Sequence, residues 1–165
     1  MSLGFGSHTR ALRGSKFGEG TYFYHVTFWD RLESIKKLGL ATQEVHGMGW
    51  GYTSVTNDVR NRLFLYPKEQ TAFEFLVDIY TDRQGVLLRF KREIAIGHTA
   101  YHDPNYAQNE TRWGKKVTEV YSFSVNMTIS PGALEGCSHL KRLPGFRRWA
   151  GTWVPLEQMS YPTTF

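Results

Sequence analysis

The residue that most invites a chemical role is a histidine placed directly ahead of a helix. His25 lies in the run YFYHVT, which is rich in aromatic and β-branched residues and predicts a strand over residues 21–26. A histidine in such a strand either makes one structural hydrogen bond at the margin of a core, or lines a pocket where its imidazole binds a ligand. The residue alone leaves both interpretations open.

Carboxylates are the second group of side chains that could do chemistry. Glu119 stands near the start of the longest strand-like run, residues 118–129, and it is the only carboxylate that begins a long strand. A carboxylate fixed at a strand end can stabilise a developing positive charge or accept a proton. The rival carboxylates in the sequence are Glu93, Glu110 and Glu135.

Metal and thiol chemistry are not predicted. His98 and His102, with Asp103 beside them, are flanked by glycine and proline and have no evident third ligand, so a polar loop is the favoured interpretation. Cys137 is the only cysteine, which excludes an internal disulfide and a cysteine-cluster metal site.

The elements that must position His25 follow it directly. Thr27 is predicted to be the N-cap of a helix whose apolar face carries Phe28, Leu32 and Ile35, and Gly39 is predicted to end that helix with a positive φ. A second helix is predicted within YPKEQTAFEFLVDIY, with Pro67 at its first helical position. Its predicted apolar face consists of Ala72, Phe73, Leu76 and Tyr80.

Further along the chain, strands and helices mix without a regular βαβ rhythm. Residues 86–90 and 92–96 are predicted to be strands, and residues 130–136 a short helix capped by Ser130 and Pro131. The pattern is typical of the α+β class rather than of a doubly wound sheet.

Length and charge bound the organisation of the chain. With 165 residues it is predicted to form one domain, and its formal net charge of +5 and pI of about 9.4 favour an acidic partner such as nucleic acid. No apolar run approaches the length of a membrane span, and the first 20 residues lack the apolar core of a secretory signal. We therefore expect no membrane association and a cytoplasmic location, with a component of a virus particle as the alternative.

Basic residues cluster at both ends and in the middle of the sequence. Residues 1–20 are interpreted as a basic flexible arm, residues 21–136 as the folded domain, and residues 137–165 as an irregular basic and aromatic extension. Trp149 and Trp153 lie close to the last cluster. Basic side chains interleaved with aromatic ones suit phosphate contact and base stacking, and they suit a docked C-terminal tail equally well. The residues predicted to bind nucleic acid are Arg60, Arg62, Lys141, Arg142, Arg147 and Arg148.

The stretch YHVTFWDRLESIKKLGL resembles the opening motif of the ADP-ribosyltransferase fold in its His-Tyr-Glu class. That class includes diphtheria-toxin-like enzymes, poly(ADP-ribose) polymerases and DNA-targeting toxins. Its members begin with Tyr-His-x-Thr, continue with a Leu-x-x-Ile helix, and end the helix with Gly-Leu. Two later segments are also similar to the family: GYTS at residues 51–54 and EVY at residues 119–121, which is followed by ISPGALE.

The resemblance implies a split mixed β-sheet with flanking short helices, and NAD as a substrate. It assigns His25 to a ribose hydroxyl, Thr27 to the adenosine side, and Tyr52, with Thr53 beside it, to stacking on nicotinamide. It makes Glu119 the catalytic carboxylate. Cleavage of the nicotinamide–ribose bond passes through an oxocarbenium-like cation, which a carboxylate stabilises as in glycoside hydrolysis.

The nature of the acceptor and of the activity is left with alternatives. Arginine-targeting members carry Glu or Gln two residues before the catalytic glutamate, whereas this chain has Val117, so a nucleic-acid acceptor is favoured over a protein. A second hypothesis is a non-catalytic binding or assembly module on the same fold, for which a virus particle is one setting. An enzyme similar to RNA 2'-phosphotransferases ranks lower, because Arg60 and Arg62 are the only arginines in a suitable place.

Overall fold

A computed structural model describes residues 10–11, 20–42, 62–79, 85–102, 122–137 and 152–160. Two α-helices and eight strands lie in these ranges, with single 3-10 turns at four further places. In chain order the elements are β1 (Arg10–Ala11), β2 (Tyr22–Phe28), α1 (Leu32–Leu38), β3 (Leu63–Leu65), α2 (Glu69–Ile79), β4 (Gly85–Lys91), β5 (Thr99–His102), β6 (Phe123–Val125), β7 (Glu135–Cys137) and β8 (Val154–Pro155).

The strands form two four-stranded sheets, with the orders β1-β5-β6-β3 and β2-β4-β7-β8. All ladders between the described strands are antiparallel. Helices and antiparallel sheets together confirm the predicted α+β class. The described strands contain no parallel pair, so the mixed character of the predicted sheet stays a prediction.

In the segment that opens the domain, the strand is longer and the helix is shorter than predicted. β2 continues through Thr27 and Phe28, a 3-10 turn follows at Trp29–Arg31, and α1 begins only at Leu32. The prediction that Thr27 caps the helix is therefore wrong. Phe28 is the N-cap of the 3-10 turn and Arg31 that of α1, and no described side chain makes a capping hydrogen bond at either position. The β-branched and aromatic residues of β2 keep the chain extended because β4 pairs with every residue of the strand.

The second helix and the strand after it agree with the pattern. Ala72, Phe73 and Leu76 are buried as predicted, although α2 begins at Glu69 rather than at Pro67. β4 covers the predicted strand. The strand predicted for residues 92–96 is wrong, because Arg92–Ile94 forms a 3-10 turn and the Gly97 that follows has a φ of 91°. The short helix predicted after Ser130 is one 3-10 turn, Pro131–Ala133.

One core joins both sheets, α1 and the C-terminal residues. Phe23 lies at its centre, with its ring 5.1 Å from that of Phe123 in the other sheet and 6.2 Å from that of Phe90. A second, smaller core lies on the opposite face of β2 and β4, where α2 covers Val26, Phe28 and Leu87. β2 is thus buried on both faces, which explains its run of apolar residues.

Residues from both predicted extensions take part in the sheets. Within the predicted arm, Arg10–Ala11 pairs with β5. The predicted boundary after residue 136 falls inside β7, and β8 pairs with that strand. Leu156 and Met159 belong to the main core, and Lys36 of α1 donates a 2.7 Å hydrogen bond to the Met159 carbonyl. Residues 152–160 are therefore packed on the same core as the predicted domain.

Candidate functional site

His25 lies where the two sheets meet. β2 belongs to one sheet and β3 to the other, and a single backbone pair joins them at Tyr24 and Tyr66 within the described ranges. The amide of each tyrosine donates to the carbonyl of the other, at 2.9 and 2.8 Å. We call residues 22–26 and 64–68 together the seam. Among the described residues, the Tyr24–Tyr66 pair is the one backbone pair between β2 and the segment of β3.

The imidazole of His25 occupies the next position of the seam. If the antiparallel register continued beyond the Tyr24–Tyr66 pair, Val26 would lie opposite Phe64. No such backbone pair forms among the described residues, and His25 Nδ1 lies 2.7 Å from the Phe64 carbonyl oxygen instead. A side chain therefore replaces the backbone hydrogen bond at the point where the strands diverge.

This hydrogen bond fixes the tautomer of His25. A carbonyl oxygen only accepts, so Nδ1 carries the proton and donates it to Phe64. In the neutral ring Nε2 is then the acceptor. Fixing one ring nitrogen to the main chain also fixes the ring plane, which is how proteins commonly orient histidines that bind a ligand.

The two residues that follow His25 in β2, Val26 and Thr27, have different orientations. Alternation along β2 places Thr27 on the same face as His25, but its side chain is only 2 % exposed, so it is closed to solvent in this arrangement. The backbone of Val26 has the same orientation as that of Tyr24, which bonds across the seam. The amide and carbonyl of Val26 therefore point toward the β3 side of the strand rather than toward β4.

A buried arginine lies at the other end of the seam. Arg92 Nε donates to the Tyr22 carbonyl at 2.9 Å, Nη2 donates to the Pro67 carbonyl at 2.6 Å, and the guanidinium lies 4.5 Å above the ring of Phe23. Burial lowers the pKa of Arg92 and the nearby Tyr24 opposes this effect, yet an arginine keeps its charge at neutral pH.

A second arginine cluster lies on the opposite face of the same sheet. The Arg89 guanidinium lies between the rings of Tyr22 and Trp153, 4.0 and 4.2 Å from their centres. Two of its nitrogens donate to one oxygen of Glu135, at 2.8 and 2.6 Å. Because His25 pairs with Leu88 and side chains alternate, Arg89 and Glu135 point away from His25. Glu135 is therefore excluded as the carboxylate that would act beside the histidine.

Tyr24 belongs to this opposite face. Its ring centre lies 6.0 Å from that of Trp153. Burial raises the pKa of its hydroxyl and the Glu69 carboxylate adds to the rise, while Arg89 and Arg92 oppose it. The hydroxyl is therefore neutral across the physiological range.

Most of the other predicted site residues lie outside the described residues. Arg62 is described, partly buried just before β3. The residues on which the structure says nothing are Tyr52, Thr53, Arg60, Glu119, Lys141, Arg142, Arg147 and Arg148. Whether His25, Tyr52 and Glu119 share one cleft stays a prediction.

Sequence reasoning missed both arginines of β4 and the turn after it. The segment VLLRFKR predicts a strand end with basic residues, which are usually solvated. The signal in hindsight is Arg89 between two apolar neighbours of a buried strand, because a charge there needs a partner. Nothing local marks Arg92, whose partners at Tyr22 and Pro67 are distant in sequence.

Within the described ranges, no three His, Cys, Asp or Glu side chains are grouped so that they could hold a metal ion. No helix among these residues is long and apolar enough to cross a bilayer. Comparisons of the chain with protein-family models, curated proteins and solved structures found no match. The assignment of a function therefore depends on the residues and their geometry.

Proposed function

We propose that the protein is an NAD-dependent ADP-ribosyltransferase whose nucleotide pocket lies at the His25 end of the seam. The observation that carries the proposal is the 2.7 Å hydrogen bond from His25 Nδ1 to the Phe64 carbonyl, at the point where two antiparallel sheets diverge. It supports the resemblance of YHVT to the family motif, because the ring of His25 is held in one orientation, as the proposed contact with a ribose hydroxyl requires.

The backbone beside His25 suits the other end of the substrate. The amide and carbonyl of Val26 point toward the β3 side of the strand, and together they form a donor and an acceptor on one edge. A primary carboxamide such as that of nicotinamide carries the complementary acceptor and donor. In the proposed pocket Tyr52 stacks on the nicotinamide ring and Glu119 lies beside the ribose.

The proposed reaction breaks one bond and forms one. The bond between the ribose carbon and the nicotinamide nitrogen breaks, and its electron pair stays on the nitrogen, which neutralises the pyridinium. The ribose carbon takes up positive charge, and an acceptor oxygen or nitrogen forms the new bond and loses its proton. Glu119 stabilises the charge and orients or deprotonates the acceptor.

Two substitutions of His25 separate its structural contact from its proposed ligand contact. In His25→Asn the amide nitrogen of the substituted side chain takes the place of Nδ1 and can still donate to Phe64, but nothing replaces Nε2. We expect this variant to stay folded and to bind NAD about 10-fold more weakly, which is the loss of one hydrogen bond at about 1.4 kcal/mol. The measurement is isothermal titration calorimetry with NAD, together with urea unfolding.

His98→Ala is the matched control, because His98 is exposed in the turn before β5 and its loss leaves the seam intact. Its NAD affinity should equal that of the unsubstituted chain. If His25→Asn binds NAD with unchanged affinity while His25→Ala loses stability, the histidine has only a structural role and the proposed pocket is wrong.

We further propose that nucleic acid is the acceptor, bound through the Arg60/Arg62 and Lys141–Arg148 clusters. The proposal is supported by the net charge of +5 and by Val117. Binding to duplex DNA should weaken with salt, with a log–log slope of about −0.9 per phosphate contacted. Reversing the charge of Arg147 and Arg148 together should make the slope shallower by about 2, measured by fluorescence anisotropy over a salt series.

Reversing Lys37 and Lys91 instead is the control, since both are exposed lysines and the change in net charge is the same. An equal change of slope in both double variants would show only a non-specific effect of charge. An absence of binding at low salt would contradict a nucleic-acid acceptor.

A non-catalytic module on the same fold is the second candidate. The burial of Thr27 favours it, because a threonine that is 2 % exposed can contact adenosine only if the residues that cover it move. If the protein is a non-catalytic module, NAD turnover should be absent in every acceptor mixture. If it is an enzyme, nicotinamide should be released.

A further inference from the structure

The register of the seam can be extended in the direction away from His25. One step from the Tyr24–Tyr66 pair brings Tyr22 opposite Lys68. These two described residues form no backbone bridge, because the chain bends after Tyr66 and then enters α2. On this side of Tyr24, the described residues of the two segments are therefore not joined by a backbone pair.

Arg92 joins them at this position. Its Nε and Nη2 donate to the carbonyls of Tyr22 and Pro67, one on each side of the seam, at 2.9 and 2.6 Å. The Arg92 backbone amide also donates to the Thr21 carbonyl at 2.9 Å, which ties the turn after β4 to the start of β2. The residue is 9 % exposed, and its side-chain bond to Pro67 is buried while that to Tyr22 is partly buried.

The seam therefore consists of one backbone pair with a side chain on each flank. His25 bonds to a carbonyl on one flank, and Arg92 bonds to two carbonyls on the other. A planar guanidinium suits the second role, because it offers several donors in fixed directions and is always charged. Hydrogen bonds from a charged donor in a buried place are stronger than neutral ones.

We infer that Arg92 is a positioning residue, which closes one end of the seam so that the sheets diverge only at the His25 end. It thereby sets where the His25 imidazole and the Val26 backbone lie. The effect of Arg92 on nucleotide binding rests on the proposed function, whereas its effect on the geometry of the seam is independent of it.

The test is native-state hydrogen exchange of the amides that donate across the seam, those of Tyr24 and Tyr66. In Arg92→Met, which keeps an apolar stem and removes the donors, both amides should exchange at least about 10-fold faster, since hydrogen bonds from a charged group contribute about 1.5–3 kcal/mol. The reference is the other isolated bridge, Leu40 with Ile129, which has two hydrogen bonds of 2.9 and 2.8 Å and should change less than about 2-fold.

Two further variants make the test specific. Arg89→Met removes an arginine that is also stacked on aromatic rings, but on the opposite face, and it should leave the Tyr24 and Tyr66 amides unchanged. Arg92→Lys keeps the charge on a single nitrogen and should restore part of the protection. If Arg92→Met does not fold, the lysine variant takes its place, with a smaller acceleration confined to the same two amides.

The tautomer of the His25 imidazole is a second measurement, and a general loss of stability does not change it. In the unsubstituted protein the imidazole ¹⁵N shifts should be those of a ring protonated only at Nδ1, and in Arg92→Met they should move toward a mixture of tautomers. Unchanged shifts and amides would overturn the inference. So would an equal acceleration of all four bridge amides, because it would show that Arg92 only stabilises the whole fold.

NAD titration of the same variants separates this inference from the proposed function. A weaker affinity in Arg92→Met that accompanies faster seam exchange supports positioning of the pocket. Faster exchange with unchanged NAD affinity overturns the positioning of the pocket and leaves the proposed function standing. If the unsubstituted chain binds no NAD, the proposed function fails, and the amides and ¹⁵N shifts still decide the role of Arg92 in the seam.

Discussion

Glu119→Gln is expected to lower NAD turnover by at least about 100-fold while leaving NAD affinity within about 2-fold. The substitution keeps the size and polarity of the side chain and removes only its charge. In the proposed reaction, the ground state of NAD needs little from this carboxylate, whereas the oxocarbenium-like transition state would carry positive charge beside it. The loss should therefore fall on kcat rather than on KM. Nicotinamide release and calorimetric binding of NAD measure the two quantities.

The rival carboxylates provide matched controls for this prediction. Glu93 is exposed in the turn after β4, and Glu135 is bound to Arg89 on the face opposite His25. Glu93→Gln and Glu135→Gln should both keep turnover within about 3-fold, because neither carboxylate lies on the His25 face or at the seam. A normal rate in Glu119→Gln together with a loss in one of the controls would show that the wrong carboxylate, or the wrong reaction, was proposed.

The parts of the fold that the sequence predicts well are those fixed by local pattern. β4 and the apolar face of α2 follow from runs of apolar residues with clear periods, and Gly39 has the positive φ expected at the end of α1. The error at Thr27 has a non-local cause. Thr27 satisfies the local rule for a helix cap, but pairing with Val86 on β4 keeps it in the strand. A non-local ladder outweighs a single capping bond of about 1 kcal/mol.

The geometry around His25 could not be predicted, because it depends on the register between distant segments. The sequence shows a histidine in a strand, but nothing in it shows that Phe64 would present a carbonyl there. The same holds for Arg92, whose acceptors are fixed only once β2, β4 and the chain after β3 have come together. Residue types therefore suggest candidates for the site, and tertiary pairing decides which of them meet.

The second large effect is expected on stability, at the end of α1. Gly39 has a φ of 85°, and a β-carbon there would collide with the Ile129 carbonyl oxygen. That oxygen accepts the hydrogen bond from the Leu40 amide, so the backbone cannot move away without breaking the bridge between the two segments. Gly39→Ala should therefore lower the free energy of unfolding by about 3 kcal/mol or more, combining left-handed strain with lost hydrogen bonds. The measurement is urea unfolding by circular dichroism.

Two other glycines separate strain from collision. Gly97 has a φ of 91° but no described atom within 4 Å of a β-carbon, so Gly97→Ala should cost only the strain, about 1–2 kcal/mol. Gly132 has neither a positive φ nor a close neighbour among the described residues, and Gly132→Ala should change stability by less than about 0.5 kcal/mol. Equal losses at Gly39 and Gly97 would mean that the contact with Ile129 relaxes at no cost. The bridge from Leu40 to Ile129 would then contribute nothing to holding α1 on the core.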